Sequence, residues 1–253
     1  MSSFDLTGRT VLVTGASSGL GARFARTAAA AGAKVVLAAR RTDRLGALVE
    51  ELGAARAAAV AMDVASEPSV IAGYDAAEAA FGPITSVIAN AGMNSEGLAT
   101  DIGVEEFDRV FAVNVRGVFL TAREGARRMM AHGAREKGDG RIVLIASIGA
   151  LKVLPGLAAY CGSKAAVVQM GKALAREWIN RGVNVNMVCP GYIETEINAD
   201  WFRSEGGQKQ LAGFPRRRLM EDADLDPIVS YLISDAARAV TGSVFTVDDG
   251  QTL

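Results

Sequence analysis

A tyrosine and a lysine four positions apart, Tyr160 and Lys164, are the residues of this chain best suited to proton transfer. The spacing places both side chains on one face of the helix that is predicted to begin near Ala158. A tyrosine is a poor base at its ordinary pKa of about 10, but a neighbouring ammonium group favours the phenolate and lowers that pKa. The pair therefore predicts an acid or base that acts on an oxygen atom. By spacing alone, a chance pair on the surface is the alternative.

Two further polar residues, Ser147 and Asn114, are candidates for the same site. Ser147 follows a predicted strand and lies 13 residues before Tyr160, so that both hydroxyls could meet one carbonyl oxygen. Asn114 interrupts an apolar helical pattern over residues 103–128, where an amide is costly unless it is hydrogen-bonded. Asn114 therefore either bonds the backbone or serves a site. Ser147 either serves that site or only forms a turn.

A glycine-rich turn after the predicted strand at residues 10–14 predicts a phosphate cradle. Glycines let the backbone approach a diphosphate closely, and the N–H groups at the start of the following helix attract it. The spacing Gly-x-x-x-Gly-x-Gly departs from the commoner Gly-x-Gly-x-x-Gly and implies a longer turn; a flexible loop without a ligand is the alternative. The predicted cradle consists of Gly15, Ser17, Ser18, Gly19, Leu20 and Gly21.

Two arginines at the end of the second predicted strand indicate which dinucleotide would bind. In dinucleotide-binding folds an acidic residue at this place bonds the adenosine ribose, whereas an arginine accommodates the 2′-phosphate of NADP. Here Ala39 is followed by Arg40 and Arg41, and a guanidinium can bind a phosphate bidentately. The pair predicts NADP(H), with two solvated surface arginines as the alternative.

The elements that must position these residues alternate along the chain. Apolar strand patterns are separated by helical patterns and end in small or polar turns, which is typical of a parallel sheet that binds ligands at the carboxyl ends of its strands. We therefore expect an α/β fold of the Rossmann type, a doubly wound parallel sheet with helices on both faces. The five strands predicted from the pattern are residues 10–14, 34–38, 57–61, 86–89 and 141–145.

Composition excludes several classes of function. A net charge of −1 gives no electrostatic reason to expect nucleic acid or a membrane surface as a partner. The single histidine, His132, leaves a Ser-His-Asp hydrolase or a histidine-based metal site without a residue to use. Cys161 and Cys189 have no metal-ligand spacing, so we expect no metal and a reduced, cytoplasmic protein. Neither a signal peptide nor a membrane span is predicted.

The chain resembles the short-chain dehydrogenase/reductase family over essentially its whole length, and within it the 3-oxoacyl-carrier-protein reductases and related ketoreductases. The matching motifs are Thr14-Gly15-x-x-x-Gly19-x-Gly21, Asn90-Ala91-Gly92, Asn114, Ser147, Tyr160-x-x-x-Lys164, Pro190-Gly191-x-x-x-Thr195, Thr241-Gly242 and Val247-Asp248. The chain departs from the family pattern at Ala89, where an asparagine is common, and at Asp249, where a second glycine is usual.

The resemblance implies a single domain over residues 1–253, a seven-stranded sheet with added strands at 183–188 and 243–247, and an active site of four residues. Tyr160 would protonate the carbonyl oxygen in reduction or act as the base in oxidation. Lys164 would lower the pKa of Tyr160 and hold the nicotinamide ribose. Ser147 would hydrogen-bond the substrate oxygen, and Asn114 would hold a water in a proton relay.

The resemblance also assigns cofactor contacts beyond the glycine turn. Asp63 and Val64 would contact the adenine, and Asn90, Ala91 and Gly92 the adenosine. The nicotinamide carboxamide would be held by Pro190, Gly191, Ile193 and Thr195.

A lid over the substrate is implied at residues 191–218, and a homotetramer (or homodimer) built on the helices around Asn114 and Tyr160. The Arg216–Arg218 run either grips an acidic carrier or is a solvated face. Apolar side chains of the lid and the nearby loops either form a roomy substrate pocket or cover the helix beneath. They are Met93, Ile148, Leu151, Leu154, Leu157, Ile193, Ile197, Trp201, Phe202, Leu211 and Phe214.

These observations favour an NADP(H)-dependent oxidoreductase that transfers a hydride between nicotinamide and a hydrophobic ketone, secondary alcohol or 3-oxoacyl compound. A non-catalytic NADP-sensing protein and an NAD-linked sugar or polyol dehydrogenase are the alternatives.

Overall fold

The computed structural model describes residues 4–194 and 199–253. Its strands are β1 (Thr10–Thr14), β2 (Lys34–Ala39), β3 (Ala57–Ala61), β4 (Ser86–Ala89), β5 (Gly140–Ile145), β6 (Val183–Pro190) and β7 (Val244–Val247). Its α-helices are α1 (Gly19–Ala30), α2 (Thr42–Leu52), α3 (Glu67–Phe81), α4 (Val104–Phe111), α5 (Val118–Ala131), α6 (Ala134–Lys137), α7 (Ala158–Trp178), α8 (Ala199–Arg203), α9 (Glu205–Ala212) and α10 (Asp226–Ile233).

The seven strands form one parallel sheet in the order β3-β2-β1-β4-β5-β6-β7. This confirms the predicted Rossmann-type fold, including the two strands that only the family resemblance implied. The chain reverses its direction of winding between β1 and β4, which are neighbours in the sheet. The carboxyl ends of these two strands therefore flank the crevice where such sheets bind ligands.

Two apolar layers hold the helices on the sheet, because alternate strand residues point to opposite faces. On β1, Leu12 joins a core with α3, α5 and α7, whereas Val11 and Val13 join a core with α1, α2 and α10. The helix α7 thus lies on one face of the sheet and α10 on the other. Among the described residues, no helix is long and apolar enough to cross a membrane.

The helical pattern over residues 103–128 is not the continuous α-helix that the sequence predicted. A π-helix (Ala112–Gly117) separates α4 from α5, and Asn114 lies within it, fully buried. A π-turn accommodates an extra residue and is common at functional sites. The apolar periodicity of the flanking turns does not reveal such an insertion. The segment between α5 and β5 contains the short helix α6, whose Ala134 packs into the core.

Candidate active site

The glycine turn after β1 is packed so closely that two of its glycines could not be replaced. Gly15 has a φ of 69°, and a Cβ built on it would lie 2.9 Å from Ala91 Cα. A Cβ built on Gly21 would lie 2.2 Å from the carbonyl oxygen of Gly15. Helix α1 begins at Gly19, so its first N–H groups face the turn. The turn therefore has the shape and polarity of the predicted diphosphate cradle.

Thr14 ties the carboxyl ends of β1 and β4 together. Its hydroxyl accepts hydrogen bonds from the backbone N–H groups of Asn90 and Ala91, both at 3.1 Å. The Asn90 amide donates to the carbonyl oxygen of Thr14 at 3.0 Å. The adenosine-contacting segment that the resemblance implied is thus held beside the glycine turn.

Arg41 lies over the same turn. Its guanidinium donates to the hydroxyls of Ser17 at 2.9 Å and Ser18 at 3.0 Å. Arg40 is exposed at the end of β2, where Ala39 brings no negative charge. The structure therefore gathers one cation and two hydroxyls at the place where a 2′-phosphate would be expected.

The predicted adenine contacts follow β3. The Asp63 carboxylate accepts a hydrogen bond from the N–H of Ala65 at 3.0 Å, which shapes the turn. Val64 is buried, and a Cβ built on Gly117 would lie 2.7 Å from its Cγ2. The π-helix and the turn after β3 consequently pack directly on one another.

Three of the four predicted catalytic side chains meet at the carboxyl end of β5. The Ser147 hydroxyl lies near the Tyr160 phenol and lowers its pKa, and Ser147 accepts a hydrogen bond from the N–H of Gly149 at 3.0 Å. The Lys164 ammonium lies 5.6 Å from the centroid of the Tyr160 ring and donates to the Ile145 carbonyl oxygen at 2.9 Å. Strand β5 and helix α7 together position all three side chains.

The pKa of Tyr160 differs from the sequence-based expectation. Burial raises the pKa of its phenol, and the hydrogen bond with Ser147 offsets only part of that rise. Lys164 directs its ammonium to the Ile145 carbonyl, and burial lowers the pKa of that ammonium to about 8. Desolvation of the phenolate thus dominates the pKa of Tyr160 in this structure, and the lowering expected beside Lys164 and a cationic nicotinamide ring stays a prediction.

Asn114 joins the segment after β4 to helix α7. Its Oδ1 accepts from the N–H of Met93 at 2.8 Å, and its Nδ2 donates to the Met93 carbonyl oxygen at 2.9 Å and to the Ser163 hydroxyl at 3.0 Å. Ser163 in turn donates to the carbonyl oxygen of Tyr160 at 2.7 Å. The structure shows the first of the two alternatives, since Asn114 bonds the backbone of Met93; its service to a site stays a prediction.

Gly92, in the segment after β4, lies close to both Asn114 and Lys164. A Cβ built on it would lie 3.4 Å from Asn114 Oδ1 and 3.5 Å from Lys164 Nζ. The predicted cofactor segment after β4 therefore lies next to two of the predicted catalytic residues.

The residues that follow β6 lie beside the residues around Met220, which come later in the chain. Ile193 pairs with Met220 in a short bridge, and the Met220 N–H donates to the Tyr192 carbonyl oxygen at 3.0 Å. Pro190 ends β6, and a Cβ built on Gly191 would lie 2.6 Å from Gln251 Oε1. Between the two ends, residues 199–219 form a flap that carries α8 and α9. The predicted nicotinamide contact Thr195 and the predicted lid residue Ile197 lie outside the described residues.

Several apolar residues of the flap and of the segments next to it take the second of the two roles that the sequence left open, because they cover the protein beneath. Phe214 stacks on Tyr192, with ring centroids 5.6 Å apart, and Phe202 meets the same ring edge-on. Ile193 and Met220 are buried in the core beneath. These side chains cover the protein, whereas Trp201 is half-exposed.

An apolar pocket of about 460 Å³ lies between the loop after β5 and the start of α7, and the Tyr160 side chain is not part of its wall. A Cβ built on Gly149 would touch Tyr160, Leu154 and Cys161, and the last two of these also line the cavity. Of the predicted pocket residues, Leu151 and Leu154 line it, and the loop residues Leu98 and Val153 complete its wall.

Two residues that hold the candidate site together were not predicted. Ser163 could have been suspected as a polar residue on the buried side of α7, one position before Lys164. Gln251 gave no signal, because its role depends on folding the C-terminal tail onto Tyr192. Its Oε1 accepts from the N–H of Tyr192 at 2.6 Å.

His132 lies at the end of α5, half-exposed and 3.0 Å from a Glu78 oxygen. Among residues 4–194 and 199–253, no group of three or more His, Cys, Asp or Glu side chains could hold a metal ion.

The chain is similar in sequence and in fold to several known dehydrogenases. A family model described as short chain dehydrogenase matches residues 9–206. The chain is 38% identical over 255 residues to the 3beta-hydroxysteroid dehydrogenase 1 of Eggerthella lenta, with 98% of this chain and 95% of the relative covered. It is 37% identical over 253 residues to the galactitol 2-dehydrogenase (L-tagatose-forming) of Cereibacter sphaeroides, with 99% and 97% covered. The crystal structure of a gluconate 5-dehydrogenase from Burkholderia cenocepacia J2315 in complex with NADP and tartrate has a TM-score of 0.92 and 30% identity, and the match covers 98% of this chain and 97% of that chain.

Proposed function

Because the chain belongs to the short-chain dehydrogenase family and is thus an oxidoreductase of alcohols and carbonyls, we propose that it transfers a hydride between NADP(H) and a hydrophobic ketone or secondary alcohol. The observation that carries the proposal is the position of the buried Lys164 ammonium, 5.6 Å from the centroid of the Tyr160 ring, with Ser147 near the same phenol.

Tyr160 acts as the proton donor to the carbonyl oxygen in this proposal. Burial raises the pKa of its phenol, so that the proton is held at neutral pH and is available for reduction. Ser147 supplies a second hydroxyl to the same oxygen. Asn114 acts through Met93 and Ser163, because it fixes the segment after β4 against α7.

The residues present fit a dinucleotide with a 2′-phosphate. Gly15 and Gly21 form a turn that only glycines can fill, and Arg41 with Ser17 and Ser18 would hold the additional phosphate. When bound, the nicotinamide supplies or accepts the hydride. The other cofactor contacts assigned to this chain are those that the family resemblance implied.

The apolar pocket at the start of α7 supports a hydrophobic substrate, since its wall includes Leu98, Leu151 and Leu154. A 3-oxoacyl compound presents the same reacting carbonyl and is the narrower form of the proposal. Arg216 and Arg218 both bind Asp249, so that an acidic carrier would have to displace that carboxylate.

A sugar or polyol dehydrogenase is the second candidate. It is favoured by the similarity to the galactitol 2-dehydrogenase and by a polar pair, Asn94 and Glu96, on the segment after β4, whose side chains bond at 3.0 Å. Hydroxyl-rich substrates need such donors and acceptors.

The proposal is tested by turnover on a panel of ketones and polyols with NADPH and NADH. We expect Tyr160→Phe to lower kcat/KM by about a hundredfold or more, the usual contribution of a general acid. Tyr231→Phe, the same change on the opposite face of the sheet, is the matched control and should leave the rate unchanged.

Wild-type turnover by Tyr160→Phe would refute the catalytic assignment. A preference for NADH would refute the cofactor assignment, and faster turnover of polyols than of apolar ketones would select the second candidate.

A further inference from the structure

Two residues of the described chain have a backbone conformation that is unfavourable for side chains with a Cβ. Among non-glycine residues 4–194 and 199–253, only Arg217 and Asp249 have a positive φ, at 51° and 52°. Residues held in the left-handed region persist where the surrounding structure requires them, often at functional sites. Here they lie 32 positions apart in the chain and on the two sides of one contact.

The contact joins the end of the flap to the C-terminal tail. The Asp249 carboxylate receives Arg216 Nε at 3.0 Å on one oxygen and Arg218 Nε at 2.8 Å on the other. Arg217, with its positive φ, lies between the two arginines. The position of Asp249 is the one where the family resemblance implied a second glycine, which would adopt this φ freely. The chain instead carries a carboxylate there, opposite two cations.

The same tail makes two more contacts near the flap. Gln251 accepts a hydrogen bond from the N–H of Tyr192, in the segment that follows β6. A Cβ built on Gly250 would lie 3.8 Å from Pro215, just before the arginines. The tail therefore contacts the segment after β6 and the returning end of the flap.

We propose that Asp249 is a latch for the flap: its carboxylate holds Arg216 and Arg218 against the tail, and the flap opens when these two ion pairs break. Asp249 is a positioning residue here and does not touch the reacting atoms. That the flap covers the substrate rests on the proposed function; that the latch holds the flap does not.

The two ion pairs of the latch can break because the side chains of Arg216 and Arg218 are largely exposed to solvent. The side chain of Asp249 is only 14% exposed, but those of Arg216 and Arg218 are 67% and 57% exposed. Ion pairs of this kind are weak and are screened by salt. The open population should therefore increase with ionic strength.

Limited trypsin digestion of the whole protein tests the latch directly, because trypsin cleaves after arginine and the latch holds Arg216 and Arg218. Asp249→Asn removes the charge, and an asparagine tolerates the left-handed conformation. We expect cleavage at 216–218, identified by mass spectrometry, to become about fivefold faster, as the loss of two partly exposed ion pairs implies. Asp200→Asn removes a carboxylate that pairs with Arg203 inside the flap, and is the matched control.

The second part of the experiment repeats the trypsin digestion at a higher salt concentration. Sodium chloride at about 0.5 M should speed cleavage of the wild type towards the rate of Asp249→Asn and leave that variant unchanged, with a small peptide substrate as the control for trypsin itself. Equal cleavage of wild type and Asp249→Asn at low salt would overturn the latch.

The KM for the substrate separates the latch from the proposed function. If cleavage accelerates and the KM rises while kcat persists, the latch holds a flap that covers the substrate. If cleavage accelerates at unchanged KM, the latch stands and the proposed role of the flap in substrate binding fails.

Discussion

At the scale of single residues, Lys164 is a buried cation whose bonding partner is a backbone carbonyl. It is 4% exposed and donates to Ile145. Burial lowers the pKa of its ammonium to about 8 from the ordinary 10.5. The charged form of Lys164 is therefore less favourable in the folded protein than in the unfolded chain. This favours a role for Lys164 at a ligand over a role in stability.

This assignment predicts the pH dependence of stability in Lys164→Met. Between pH 8 and 10.5 the unfolded state binds more protons than the folded state, so the wild type gains stability as pH rises. Below pH 8 the free-energy cost of burying the Lys164 ammonium is present in full. We expect the free energy of unfolding of the wild type, relative to the variant, to increase by about 2 kcal/mol between pH 7 and about 10.

Urea denaturation at the two pH values measures that difference, because the other titrating groups are common to both proteins. Parallel pH profiles of wild type and variant would show that Lys164 has an ordinary pKa in the folded state.

At the scale of elements, the site depends on how closely β1, its glycine turn and α1 approach each other. A Cβ on Gly21 would lie 2.2 Å from the Gly15 carbonyl oxygen. Backbone cannot yield as a flexible side chain can, so α1 would have to move away from the turn. The N–H groups that face the predicted diphosphate would move with it.

We therefore predict that Gly21→Ala weakens NADPH binding by about tenfold or more, the effect of an overpacking strain above about 1.4 kcal/mol. Gly46→Ala is the matched control. Gly46 lies within α2 with open space around its Cα, and alanine there should stabilise the helix by about 0.5–1 kcal/mol.

Fluorescence titration with NADPH, together with the thermal unfolding midpoint of each variant, distinguishes lost binding from lost folding. Equal affinities in the two variants would mean that the turn does not hold the dinucleotide.

At the scale of the whole molecule, α4 leaves apolar side chains in solvent. Val104 is 69% exposed and Phe107 is 44% exposed, and Phe107 stacks on Phe111 with ring centroids 4.4 Å apart. A Cβ built on Gly162 of α7 would lie 3.7 Å from Phe111. We propose that this surface of α4 and α7 pairs with a second copy, in a homotetramer or homodimer.

The proposal predicts that Phe107→Asp gives a species of lower molar mass, because a carboxylate cannot be buried unpaired in an apolar contact. Size-exclusion chromatography with light scattering measures the mass. Ile71→Asp, on the partly exposed side of α3, is the control and should keep the wild-type mass. A monomeric wild type, or a Phe107→Asp protein of unchanged mass, would contradict it.

Local patterns in the sequence determined most of the fold. Strands β1 to β5 were predictable because β-branched and apolar runs are bounded by turns, and Ser66 with Pro68 marked the start of α3. The pattern could not reveal the π-helix, because one inserted residue leaves the apolar periodicity of α4 and α5 nearly intact. Strands β6 and β7 were predicted only through the family resemblance.

The sequence by itself also determined which residues could do chemistry, since Gly15, Ser147, Tyr160 and Lys164 are recognisable by type and spacing. Only the tertiary structure decided how they act. The pKa of Tyr160 depends on desolvation by the whole surrounding fold. The Asn114 side chain is held in place by hydrogen bonds with Met93 and Ser163, which belong to other elements. The contact of Asp249 with Arg216 and Arg218 is likewise invisible in the sequence, because the free energy of a long-range contact depends on distance in space and not on position along the chain.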